Sequence, residues 1–252
     1  MPTSRENHLP DVDTNIGSDV GEALGEGRRL DNWSLHWLAA AGDLESHRAA
    51  IVGEFEAAYR SLAGFVAPPR LDILVQRLAG ETIPELGMVG HAYRDSLFAM
   101  TLDPDSPNFE RSLHDGALRR QIIHEVHHCM RMAGAGYGWT LGEALVSEGL
   151  AGQFVGRLLG TDPEPWERAV PWDDLHGASV SPEALAADDY DHAAWFHGRG
   201  PYPRWFGYSL GYGMVGAWLE EAGDVDTATW IDVPAATVVE AAQRRGLISP
   251  AG

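Results

Sequence analysis

The chain has 252 residues, 44% of them hydrophobic, which is enough to bury a sizeable core. Its 37 acids stand against 18 bases, all of them Arg, for a formal net charge of -19. That balance argues against nucleic acid and anionic membrane as partners, because both demand clustered cations. One cysteine, Cys129, rules out an intramolecular disulfide. No run reaches the roughly 18–20 apolar residues of a membrane span, and the N-terminus lacks the apolar stretch of a signal peptide. These features read as a soluble, cytoplasmic protein.

Residues 1–30 are polar and Gly-rich without a sustained period, and are expected to form a mobile arm ahead of a single domain over 31–252. From Asp43 the apolar residues Leu44, Ile51, Phe55, Tyr59 and Leu62 make a helical stripe. RLDILVQRL (70–78) and SLFAMTL (96–102) are short apolar runs bracketed by turn residues, and read as strands. A long helix is expected from Phe109 to Met132, interrupted after it by Gly at every second position from Gly134 to Gly138. Thr140 and Glu143 have the spacing of a capping box and start the next helix. Residues 160–204 are irregular, RWFGYSLGYGMVGAWLEE (204–221) is helical, and Asp232-Val-Pro opens a last short helix. Helix, strands, then mostly helices imply an α+β fold.

The chemistry concentrates in HEVHH (124–128). His124 and His128 are four apart, so on a helix they share a face, and two neutral imidazoles can meet one ion. Glu125 between them completes H-E-x-x-H, in which the Glu acts as general base toward a metal-bound water. The alternative is a solvated, His-rich helix face. The interleaved Ile122, Ile123, Val126 and Met130 argue against it, because a buried His pair and Glu need partners. A catalytic zinc takes three protein ligands and leaves a place for water. Glu143 and Glu148 on the next helix are the candidates. They are five apart and so point in different directions. Glu143 has a role as a cap, whereas Glu148 sits among Leu145, Val146 and Leu150 with no local role, and is assigned as the third ligand.

H-E-x-x-H followed by a helical Glu resembles the gluzincin metallopeptidases, and the 20 residues from His128 to Glu148 match the spacing of thermolysin-like enzymes. QIIHEVHHCMR, TLGEALVSEGLAGQF and PRWFGYSLGY (203–212) together resemble the family of predicted zinc-dependent proteases, the YjaZ-like group. The resemblance covers about 87–221. It implies a zincin-like domain with a small sheet and the active helix on one side of a cleft and a mainly helical part on the other. It further implies one zinc on His124, His128 and Glu148, Glu125 as base, and a peptide or protein substrate. Thermolysin-like enzymes carry an Asp four residues past the Glu ligand to orient a ligand His. Here that position is Gly152, so another group must hold the imidazoles, with Glu143 available if it does not cap.

Such enzymes also need an oxyanion donor, and Tyr208 and Tyr212, one turn apart, are candidates for it or for core aromatics. Arg131 reads as a brace, Arg204 as a loop residue or a binder of a substrate carboxylate, and His91 as a structural or cleft-lining His. His127 and Cys129 point away from the site. SLFAMTL is a candidate edge strand for an extended peptide, with GHAYRD (90–95) as its approach loop. Two rival functions stand beside the peptidase: a non-catalytic zinc protein that binds a partner in the cleft, and a metal hydrolase of a non-peptide amide. An intact Glu125 favours catalysis, since a structural zinc needs no base.

Overall fold

The computed structural model describes residues 29–30 and 32–249. The arm expected over 1–30 therefore lies outside the described residues, apart from Arg29 and Leu30. Those two residues form strand β1 (Arg29–Leu30), antiparallel to β2 (Trp33–Leu38). β2 was not among the expected strands, although Trp33, Leu35 and Trp37 alternate with Ser34 and His36, the pattern of a half-buried strand. A 3-10 turn (Glu45–His47) and α1 (Arg48–Ala63) carry the chain to β3 (Leu71–Arg77), which pairs parallel with β2. The predicted stripe is the buried face of α1, with Ile51, Phe55 and Leu62 fully enclosed.

β4 (Met88–Arg94) and β5 (Leu97–Leu102) complete a mixed five-stranded sheet in the order β1-β2-β3-β5-β4. This corrects the expected edge. SLFAMTL is β5, an interior strand parallel to β3 and antiparallel to β4, and its near-continuous burial explains the unbroken apolar run. The edge strand is β4, and the expected loop GHAYRD belongs largely to it.

The helix expected over 109–132 is two: α2 (Phe109–His114) and α3 (Ala117–Met132). Gly116, at φ 83°, breaks them where an L side chain would be strained. α4 (Leu141–Leu159) follows the glycine turn and opens on the reciprocal capping box of Thr140 and Glu143. The irregular segment contains three short helices, α5 (Trp172–Gly177), α6 (Pro182–Ala186) and α7 (His192–Phe196). α8 (Phe206–Ala222), α9 (Thr227–Asp232) and α10 (Ala235–Arg244) end the chain. The class is α+β. Among the described residues no helix is long and apolar enough to cross a membrane.

One core runs from the sheet through α1 and α3 to α4, α8 and α10. α4 and α8 cross at glycines: a Cβ on Gly149 would strike the Gly211 carbonyl, and one on Gly211 would strike the Leu145 carbonyl. Both obstacles are backbone, which cannot swing aside. Gly211→Ala should therefore destabilise the fold by about 2–3 kcal/mol. Gly53→Ala, in α1 with open space around it, should stabilise it by about 0.5–1 kcal/mol. Urea unfolding of the two variants checks both signs.

Candidate metal centre

α3 delivers His124 and His128, and α4 delivers Glu148. The turn between them is made tight by Gly136 and Gly138, both at positive φ. Nε2 of His124 is 3.1 Å from Glu148 Oε2, and Nε2 of His128 is 3.5 Å from Glu148 Oε1. One donor atom from each residue fits within a sphere where all lie within 4.8 Å of one another. Donors about 2.0–2.1 Å from a tetrahedral zinc would be spaced by about 3.4 Å. The donor set and its spacing therefore fit a zinc ion.

His128 is buried, His124 and Glu148 are partly buried, and the charges of the three act on one another. Burial lowers the His124 imidazole, but the hydrogen bond and charge of Glu148, with Glu125 and Glu167 behind it, outweigh burial and set it at about 9. Burial raises Glu148, and the two imidazoles reverse this and hold it well below the usual carboxylate range. The Tyr137 hydroxyl donates to Glu148 Oε1 at 2.7 Å, and its ring edge meets His128. Tyr137 was missed in the sequence, where it stands inside the glycine turn as Gly-Tyr-Gly and offers no periodicity to read.

Glu125 is buried beneath β4, and a Cβ on Gly90 would collide with its carboxylate. The missing side chain of Gly90 leaves the space that this acid occupies, and both residues line the cavity. Burial raises the Glu125 carboxyl, partly opposed by His128 and His124. A cavity of about 830 Å³ is lined by all four of these acids and imidazoles, together with Tyr137, Tyr208 and His91. Tyr208 lies against Phe196 at 4.9 Å between ring centroids, and its hydroxyl has no hydrogen-bond partner among the described residues. Burial, then Glu148 and Glu125, push that hydroxyl well above its ordinary value and keep it a neutral donor. The structure does not bring Tyr212 to this cavity. It lines a separate hollow with Gln153, whose side-chain amide donates to its carbonyl at 3.1 Å.

Glu143 accepts from the backbone N–H groups of Trp139 and Thr140, at 2.8 and 3.0 Å, and caps α4. It does not orient a ligand His. At Gly152, the space of a Cβ is filled by the carboxylate of Glu167. Glu167 thus brings its acid to the face of α4 one turn beyond Glu148, and its other oxygen accepts from the Glu164 N–H at 2.7 Å. No local sequence signal marks Glu167, which comes from the irregular segment. Arg131 braces the site from behind: it donates to Ser147 on α4 and to the Ile231 and Val233 carbonyls. His127 faces away, with Nε2 3.2 Å from the Trp230 carbonyl, and Cys129 is buried. Arg204 lines the cavity and is held by Glu85 at 2.7 and 3.0 Å.

A family model described as predicted Zn-dependent protease (DUF2268) matches residues 51–240, well over half the sequence. The chain belongs to that family. The match spans every residue of the centre, from β4 through α3 and α4 to α8, including the three convergent side chains that could hold a metal ion. No curated protein matches the chain at a significant level.

Burial, opposed by the Glu164 N–H and by His124, pushes Glu167 up to about 7. A carboxyl that holds its proton longer in the folded chain than in the unfolded one destabilises the fold as pH rises from the ordinary value near 4.5 to about 7. In the metal-free protein, Glu167→Gln should remove that loss. Relative to wild type it should gain about 1–3 kcal/mol at pH 8 over its value at pH 4.5, measured by urea unfolding at both pH values.

Proposed function

We propose that this protein is a zinc-dependent peptidase of gluzincin type, with one zinc per chain held by His124, His128 and Glu148. The observation that carries the reading is the pairing of that donor set with Glu125, a buried carboxylate beside the ligands that makes no structural ion pair and opens to the cavity over Gly90. A purely structural zinc has no use for such an acid. The ion, when bound, supplies Lewis acidity that polarises a carbonyl and acidifies water.

The chain's own groups do the rest. Glu125 accepts a proton from the attacking water and returns it to the leaving amine; its raised affinity for protons suits both halves of that exchange. Tyr208, neutral and without another partner, donates to the oxygen that gains negative charge. β4 is the edge of the sheet, bridged on its outer side by Ile83 at Met88, and beyond that bridge its Gly90, His91 and Ala92 line the cavity, so its main chain there can pair with an extended peptide. Glu148 is fixed by Tyr137, and Arg131 locks α3 to α4 so that the imidazoles and the carboxylate hold their spacing.

Metal analysis of the purified protein should find one zinc per chain, and His128→Ala and Glu148→Ala should each lose it. Glu125→Gln should keep zinc and fold while peptide hydrolysis falls by about 100-fold to 10,000-fold, because the amide cannot take a proton. A Gln variant as active as wild type sinks the mechanism. A zinc-loaded wild type that hydrolyses no member of a mixed peptide library favours a binding protein instead.

For Tyr208→Phe, kcat should drop by about 100-fold to 1,000-fold with KM nearly constant, the pattern of a contact made mainly in the transition state. Tyr212→Phe is the matched control. A structural tyrosine at 208 would give the opposite pattern, a stability change of about 1 kcal/mol with kcat intact.

A further inference from the structure

The rim of the cavity carries a charge that the reaction does not use. α7 and the loop after it place His192, His197 and Arg199 around the opening, with Arg204 next along the chain. The Arg204 guanidinium is answered by Glu85 and also stacks on the Trp205 ring at 4.1 Å. Arg199 is different. Its guanidinium has no acid within ion-pair distance and no hydrogen-bond partner among the described residues, in a chain with 37 acids and 18 bases. Glu81, also on the rim, is not paired with it.

The residue is nonetheless anchored. Its backbone N–H donates to the Ala193 carbonyl at 3.1 Å. The flanking glycines are pressed against neighbours: a Cβ on Gly198 would lie 2.9 Å from the Arg204 backbone, and one on Gly200 would lie 2.5 Å from the Ala194 Cβ. The loop is packed and its cation is free. His197 beside it is kept neutral by burial and by Arg199 and Arg204, which leaves Arg199 as the unmatched charge at the rim. A guanidinium binds a carboxylate through two parallel N–H donors, a geometry that water or an ammonium does not provide.

We propose that Arg199 docks a carboxylate of the peptide substrate, so that the protein prefers chains bearing a free C-terminal carboxylate or an acidic side chain near the scissile bond. The net charge of -19 repels such substrates from the rest of the surface, and a local cation is what makes this opening the exception. The inference rests on the reading of the cavity as a peptide site and adds the substrate class to it.

The test uses the zinc-loaded full chain carrying Glu125→Gln and one neutral peptide sequence, fluorescently labelled, in three forms. The first has a free C-terminal carboxylate. The second is the C-terminal amide, and the third is that amide with one internal Glu. Anisotropy should show one of the two acidic forms binding about tenfold tighter than the neutral amide, and the identity of that form assigns the source of the carboxylate. Adding Arg199→Gln should shrink the preference below about twofold. Arg168→Gln, which removes a cation from a different hollow, should leave it intact. Equal binding of the three forms, or a preference that survives Arg199→Gln, overturns the proposal while leaving zinc binding and Glu125-dependent hydrolysis untouched. Binding of none of the three overturns it together with the peptide reading.

Discussion

A carboxylate held between two imidazoles in the interior is the constraint around which this protein is arranged. Glu148 would be costly to bury alone, since removing an ion from water is repaid only when opposite charge and hydrogen bonds surround it. His124, His128 and the Tyr137 hydroxyl supply those partners from three directions. Each of them has to arrive at the same point. The glycine turn folds α4 back along α3, and Arg131 ties the two helices together and to the chain leading into α10. The close glycine crossing of α4 and α8 sets Tyr208 on the same cavity.

Glutamates of one chemistry acquire separate roles from their surroundings. Glu143 meets backbone N–H groups at a helix start and is held ionised as a cap. Glu148 meets imidazoles and is held ionised as a candidate ligand. Glu125 is buried under β4 beside His128, His124 and Glu148, and burial outweighs the imidazoles and holds it toward its protonated form, which suits a group that exchanges protons. Glu167 fills the space left by Gly152 and is raised by burial near the same centre. Sorting acids by environment in this way is how a site keeps ligand and base distinct.

The cavity joins two unlike walls. One is the edge strand β4, which Ile83 bridges at Met88 and which pairs with no second strand on its outer side among the described residues. The other is the loop from α7 to α8, tied to the β3–β4 connection by the Arg204–Glu85 pair. The same loop carries Arg199 and leads into the helix of Tyr208, so one segment sets both the proposed carboxylate contact and the proposed oxyanion donor on the cavity.

The candidate ligands, Glu125 and the start of α4 were legible in the sequence because their information is local. His124 and His128 meet by helical periodicity, a capping box declares itself by spacing, and an acid without a local role in an apolar helix calls for a partner. The stripe of α1 and the apolar runs of β3 and β5 are likewise set by short-range pattern. Which strand forms the edge was not legible, since a run of apolar residues reports burial and not pairing order. The break at Gly116 depends on a backbone conformation that a glycine permits but does not require. Tyr137, Glu167 and Arg199 come from turns and irregular segments, where no period links a residue to its neighbours in space. Their places were decided only when tertiary packing brought distant segments together, because a side chain in a loop takes its surroundings from the whole fold and not from the residues beside it.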